Sequence, residues 1–522
     1  MKFKIVFLLY TLLTLNAQKK SPNIIYILAD DMGYGDISGL NENGKIKTPN
    51  LDKLISQGMR FTDAHTSSSV CTPTRYGIIT GRYNWRSKLK RGVVSGTNRA
   101  LIPNDRSTVA SILKENGYTT AMIGKWHLGW DWATKKGVPV DKQRLSFDDI
   151  DFNGMVTNSP KNLGFDYYYG HCASLDMAPY VYVESDKVVE APNQIVSAAK
   201  GYGKYREGPK AEHFIIEDVT PNFFRRGISY IGEYAKEEKP FFLYLPLPSP
   251  HTPILPTKEF QGKSSLNPYG DFVMMIDSFM GELIEAVEKT GEADSTIIIF
   301  TSDNGCSRTA NFKELSEKGH APNYIYRGSK SDIFEGGHRV PFIVKWPDVI
   351  ESNSVSNQTI CTTDLMATCA DIVKYQLKDI EGEDSFSLLP IFESKVKKPI
   401  REATVHHSIA GEFAIRKGDY KLITCPGSGG WSSPNTRDDG AELLNSLPKV
   451  QLYNLKEDPK ESKNLESVYP KKVFELATLL HKYINDGRST KGTPQSNDAY
   501  KGKWSQINTI ETLVKKTTRK PK

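Results

Sequence analysis

Residues 24–31 read I-I-Y-I-L-A-D-D, an unbroken apolar and partly β-branched run that ends on two adjacent carboxylates. A run without polar alternation predicts a strand buried on both faces, as in a parallel sheet covered by helices. Downstream, Thr48, Pro49 and Asn50 supply a cap and a first-turn proline ahead of L-D-K-L-I-S-Q, and Gly58 supplies the stop. A helix therefore follows the strand. The unit recurs, with strands predicted at 119–123, 241–247, 296–301 and 342–345 and helices at 107–116, 223–236 and 272–290. This alternation specifies an α/β domain with a mostly parallel central sheet flanked by helices.

Two regions break the rhythm. Residues 130–210 scatter Gly, Pro and aromatics around G-F-D-Y-Y-Y-G-H-C-A-S-L-D-M-A-P-Y, predicting a long irregular insertion that faces substrate. Past 401 the texture changes to F-A-I-R-K-G-D-Y-K-L-I, P-G-S-G-G-W-S and Q-L-Y-N-L-K-E-D-P, the pattern of antiparallel strands joined by turns. A helix is expected at 470–485 and a loosely held polar end after Arg488. The expected division is a signal at 1–17, a catalytic domain at 18–400 and a smaller C-terminal domain at 401–522 with an antiparallel sheet, a helix and a polar tail.

A chain of 522 residues exceeds what one core usually supports, in keeping with two domains. M-K-F-K, an apolar run at 5–15 and N-A-Q have the parts of a secretory signal, and the run is too short to span a membrane. The protein is expected to be exported, periplasmic or secreted. Six cysteines are few for such a chain, so disulfides are permitted but are not the scaffold. Cys361 and Cys369 are read as bracketing a helix, whose rise of about 12 Å is beyond disulfide reach. The net charge of +7 suits an anionic substrate or polymer without demanding one. No nucleic-acid module is present: there is no zinc-finger spacing, aromatic ribonucleoprotein motif or basic repeat.

The chemistry is expected at the carboxyl ends of the strands, where open α/β sheets bind ligands. Asp30 and Asp31 end the first strand, and both can reach one ion only if the chain turns there. Asp303 and Asn304 end another. These hard oxygen donors favour Ca²⁺ or Mg²⁺ over zinc, and the charge-rich set leans to Ca²⁺. Lys125 and His127 end a third strand, His251 sits in the rigid P-S-P-H-T-P, and Lys330 lies in G-S-K-S-D-I-F-E-G-G-H-R-V-P. In S-S-S-V-C-T-P-T-R-Y-G-I-I-T-G-R, residues 67–82, Pro73 places Cys71 at a helix N-terminus with Arg75 on the same face. Taken singly, each is more simply a cap, a turn or a buried structural side chain. Together they form a pocket for a multiply oxygenated anion beside a nucleophile, which is the chemistry of phosphate or sulfate ester hydrolysis.

At this point a family resemblance emerges. C-T-P-T-R with the trailing T-G-R resembles the type I sulfatase signature. The similarity continues through L-A-D-D-M-G-Y-G-D, T-P-N-L-D-K-L, G-K-W-H-L-G, P-H-T-P, T-S-D-N-G and the Lys330 segment. The resemblance implies an alkaline-phosphatase-like α/β domain with a smaller antiparallel C-terminal domain. It implies oxidation of Cys71 to formylglycine by a formylglycine-generating or anaerobic sulfatase-maturating enzyme. It also implies one Ca²⁺ held by Asp30, Asp31, Asp303, Asn304 and the modified Cys71. Arg75 would steady the hydrate, and Lys125 and Lys330 would bind sulfate oxygens. Asp303 would be the activating base, and His251 with Lys330 the acid at the leaving alcohol. His127 would take the proton that lets sulfate depart and the aldehyde re-form. The commoner motif has Ser where this chain has Thr74, which keeps the hydroxyl.

The aromatic segment and P-G-S-G-G-W-S look similar to exported bacterial carbohydrate sulfatases, some acting on 6-sulfated galactose or N-acetylgalactosamine. His171 and Asp176 are expected to contact the sugar, as are His406 and His407 from the C-terminal region. The expected substrate is a sulfated glycan. The alternatives are a phosphate or phosphonate ester hydrolase and a non-catalytic glycan-binding protein.

Overall fold

The computed structural model describes residues 21–518 except 140, 436 and 501. The expected signal at 1–17 lies outside the described residues. A ten-stranded sheet forms the centre, in the order Ser354–Ser356, Met59–Phe61, Phe342–Lys345, Thr296–Ser302, Asn23–Asp30, Phe241–Pro250, Thr119–Lys125, Tyr167–His171, Val183–Glu184 and Lys187–Val188. Its five middle strands from Thr296–Ser302 to Tyr167–His171 are mutually parallel, with Ile24 opposite Phe242 on one side and Ile297 on the other. Every residue of Asn23–Asp30 is buried, as an unbroken apolar run requires.

Helices cover the sheet. Asn267 caps Pro268–Thr290 by accepting from the Tyr269 and Gly270 amides at 3.1 and 3.3 Å. That helix and Val219–Tyr234 both begin four residues before the apolar periodicity, because each opens on a proline-containing first turn. Cys361 and Cys369 do not bracket a helix: Cys361 ends the short strand Ile360–Cys361 and Cys369 lies within Leu365–Ile372. All six cysteines are buried and free.

The insertion at 130–210 is less irregular than its composition suggests. Its Y-Y-Y-G-H becomes the parallel strand Tyr167–His171, paired to Thr119–Lys125 from Ala121–Tyr167 to Lys125–His171. Tyrosines with a glycine hid a strand among aliphatic ones, although aromatics suit a sheet as well as Val or Ile does.

A second sheet of four antiparallel strands runs Thr404–His407, Phe413–Lys417, Tyr420–Ile423 and Gln451–Asn454, with the helix Pro470–Asn485 packed on it. Past Arg488 the described residues make contacts with the rest of the chain. Asp498 accepts from Arg82 at 3.1 Å, and a further helix, Ile507–Thr518, buries Ile510 against the second sheet's core. Ile507, Ile510 and Val514 recur at the three- and four-residue spacing of an apolar helix face, diluted by surrounding Lys and Thr.

Candidate active site

The parallel strands deliver Asp30, Lys125, His171, Pro250 and Ser302 to one edge of the sheet. The turn needed after Asp30 is present: Asp31 has φ 68°, left-handed backbone that a non-glycine residue seldom adopts. Its N–H donates to Asp303 Oδ1 at 3.3 Å, its carbonyl accepts from the Tyr269 hydroxyl at 3.1 Å, and the Met32 N–H donates to Ser302 Oγ at 3.1 Å. These bonds over-determine the turn and aim both carboxylates inward.

Cys71 is the first residue of the helix Cys71–Thr80, which is buried along its whole length. Four residues on, the Arg75 guanidinium donates to Asp303 Oδ2 from Nη2 at 2.8 Å and from Nε at 3.1 Å, and Nη2 lies 3.3 Å from Asp30 Oδ2. Gly124, with φ 142°, lets the Lys125 strand approach its neighbour, since a Cβ there would sit 2.0 Å from the Pro246 carbonyl oxygen. Lys125 Nζ then reaches the Asp30 carboxylate and donates to Ser174 Oγ at 3.2 Å. Lys330 Nζ lies 2.7 Å from Asp31 Oδ1.

One ligand atom each of Asp30, Asp31 and Asp303 lies within 4.8 Å of the others, as does one each of Asp30, Cys71 and His251. Arg75, Lys125 and Lys330 balance the three carboxylates. Even so, Asp30 Oδ1 and Asn304 Oδ1 are buried without a hydrogen-bond partner. Buried oxygens are rarely left unpaired. Two orphaned oxygens within an all-oxygen cluster of this charge fit a hard divalent cation such as Ca²⁺.

Burial pushes the Cys71 thiol up to about 11, so it stays protonated at neutral pH and makes a poor thiolate. Burial, then the neighbouring Asp30, raises the Asp303 carboxyl to about 7. Burial also works against the Asp30 charge, but Lys125, His251 and Arg75 hold that carboxyl well below the usual range. Burial and Lys330 lower His251, while burial and Lys125 lower His127 further. His251 Nδ1 donates to the Thr252 carbonyl at 2.6 Å, leaving Nε2 facing Asp31 at 3.7 Å. His127 Nε2 donates to the Val94 carbonyl at 2.9 Å, and its Nδ1 has no partner. Each imidazole thus keeps one nitrogen for proton transfer.

Cys71, His127, His251 and Lys330 line a cavity of about 650 Å³, and Asp176 lies on its wall. The other three residues expected to touch sugar are placed elsewhere. His171 stacks on Phe223 with its ring centroid 5.7 Å away. His406 stacks on His338 at 3.8 Å and bonds the Thr66 carbonyl at 3.0 Å. His407 packs on Phe413 at 5.0 Å. All three are at most 3 % exposed, and none lines the cavity, so as placed they build the core. Sequence reasoning missed Ser174, which joins Lys125 to His251 Nδ1 at 3.4 Å. It follows Tyr167–His171, so recognising that strand would have placed it at the active edge.

The sulfatase family model matches residues 22–375. The chain is 33 % identical over 506 aligned residues to an N-acetylgalactosamine-6-O-sulfatase of Bacteroides thetaiotaomicron, covering 89 % of this chain and 93 % of that protein. It is 29 % identical to human arylsulfatase A, covering 86 % and 84 %. A solved Bacteroides thetaiotaomicron structure from work on glycosaminoglycan metabolism superposes with TM-score 0.76 at 32 % identity, covering 89 % of this chain and 99 % of that one.

Proposed function

The chain belongs to the sulfatase family and is a sulfuric ester hydrolase acting on sulfated carbohydrate; on that premise we propose that it removes the 6-sulfate of galactose or N-acetylgalactosamine units in a glycan or its fragments. The 33 % identical relative carries the N-acetylgalactosamine 6-O-sulfatase activity in its name, and the match spans nearly the whole of both chains. The observation that carries the catalytic reading is the convergence of Cys71, Asp30 and His251 within 4.8 Å, at the floor of a cavity that Lys330 also lines. Neither the phosphate-ester nor the binding-only alternative is favoured by the relatives.

Oxidation of Cys71 to formylglycine by a maturation enzyme would supply an oxygen nucleophile as its hydrate, and Ca²⁺ would supply Lewis acidity toward sulfate oxygens. Asp30, Asp31, Asp303 and Asn304 would hold the ion. Arg75 orients Asp303, which takes the nucleophile's proton. Lys125 and Lys330 bind sulfate oxygens, the Lys330 ammonium with His251 Nε2 beside it gives the departing sugar oxygen its proton, and His127 Nδ1 takes the proton that frees sulfate. Asp176 contacts the sugar from the cavity wall.

The same reading takes 18–400 as the catalytic domain and 401–522 as a C-terminal domain. Its support is that the antiparallel sheet begins at Thr404. It takes the protein as exported to the periplasm or beyond. Among the described residues no helix is long and apolar enough to cross a membrane.

The test is sulfate release from the 6-, 4- and 3-sulfates of galactose and N-acetylgalactosamine, using protein co-produced with a maturation enzyme. Preferential release from the 6-sulfates is expected. Preference for another position, or for matched phosphate esters, would overturn the proposal.

A further inference from the structure

The cavity holds more positive charge than one sulfate needs. Lys125 and Lys330 serve the floor, yet Lys204, Arg206, Arg308 and Arg437 also line the cavity toward solvent. Arg206 and Arg308 have side chains 56 % and 47 % exposed. Two carboxylates offset them in part: Asp176 lies 3.4 Å from Arg206 Nε and Asp438 lies 3.6 Å from Arg308 Nη1. Among the residues that line the cavity, cations outnumber carboxylates.

This wall is built, not incidental. Asp332, two residues beyond Lys330, accepts from the Trp431 and Ser432 amides at 2.9 and 3.0 Å, and Ser331 Oγ accepts from the Trp431 amide at 3.0 Å. Gly430 permits the approach, since a Cβ there would lie 2.4 Å from the Ser331 carbonyl oxygen. Asn435 accepts from the Arg437 amide at 2.8 Å and donates to the Trp431 carbonyl at 3.0 Å. The Arg308 guanidinium donates to that same carbonyl. A loop of the C-terminal region is thereby locked to the catalytic lysine's segment, presenting an indole beside two arginines. Lys204 and Arg206 come from the separate insertion.

We propose that this mouth is a second anion subsite, which binds a carboxylate or a second sulfate on the sugar next to the one being desulfated, with Trp431 packing on the sugar ring. This deepens the reading of a 6-sulfated galacto-sugar and rests on it. The substrate is then an acidic oligosaccharide and not an isolated sulfated sugar.

The experiment compares four kinds of substrate that share one 6-sulfated N-acetylgalactosamine: the monosaccharide, and disaccharides, in both linkage orders, whose neighbour is neutral, carboxylate-bearing or sulfated. Wild type should show kcat/KM about tenfold higher for an acidic neighbour than for a neutral one, with the advantage shrinking as salt rises. Arg308→Gln with Arg437→Gln should remove most of that advantage while lowering monosaccharide turnover less than about threefold. The carboxylate and sulfate arms identify which anion the subsite takes. Equal rates on acidic and neutral neighbours, or equal losses on all four substrates in the variant, overturn the subsite while leaving the 6-sulfate reading intact. No turnover of any 6-sulfate overturns both.

Discussion

Lys330 Nζ sits 2.7 Å from Asp31 Oδ1 in a site where neither side chain is more than 5 % exposed. Breaking a buried pair by removing one partner leaves an uncompensated charge, a loss of about 3–5 kcal/mol. Lys330→Met should therefore lower the melting temperature by several degrees in chelator, and added Ca²⁺ should restore part of it by returning positive charge to Asp31. Sulfate ester turnover should fall at least about a hundredfold in both conditions. Differential scanning calorimetry with EGTA or Ca²⁺, alongside kinetics, checks this; a variant indifferent to Ca²⁺ would count against Asp31 as a ligand.

His406 tests the corrected assignment. It stacks on His338 and bonds the Thr66 carbonyl, holding the second sheet to the first region. His406→Ala should lose about 2–4 kcal/mol of stability with KM for the sulfated sugar within about twofold of wild type. A large KM change without loss of stability would return it to the substrate.

Glu412 is predicted to make stability pH-dependent. Burial raises its carboxyl to about 7, whereas an unfolded Glu titrates near 4.3. The folded state then holds a proton that the unfolded state releases, so stability is full below about pH 4.3 and falls as pH rises toward 7, by at most about 4 kcal/mol. Glu412→Gln should flatten this part of the profile, so that the variant gains on wild type between melts at pH 5 and pH 8. Parallel profiles would refute it.

Ile510 is fully buried by the C-terminal helix. Ile510→Ala should destabilise by about 2–4 kcal/mol and leave kcat near wild type at 25 °C, because its helix packs on the helix Pro470–Asn485 and not on the cavity. Urea unfolding curves with matched kinetics measure both.

The sequence carried the middle of the sheet because parallel strands buried on both faces leave aliphatic runs, and Ile24 to Leu28 is such a run. The strand Tyr167–His171 escaped notice because its apolar area is aromatic, and Ser174 escaped with it. The gathering of Asp30, Lys125 and Asp303 was legible because these residues end strands whose ends a parallel sheet gathers at one edge. The fate of His171, His406 and His407 was not, since polarity alone does not distinguish a histidine facing a cavity from one stacked in a core.

The central claim, that Cys71 is a precursor and not the nucleophile, is tested most directly by the mass of the tryptic peptide containing it. Protein co-produced with a maturation enzyme should carry an aldehyde at position 71, detectable also as a hydrazone, in proportion to its sulfatase activity. An unmodified thiol in fully active protein would contradict the account.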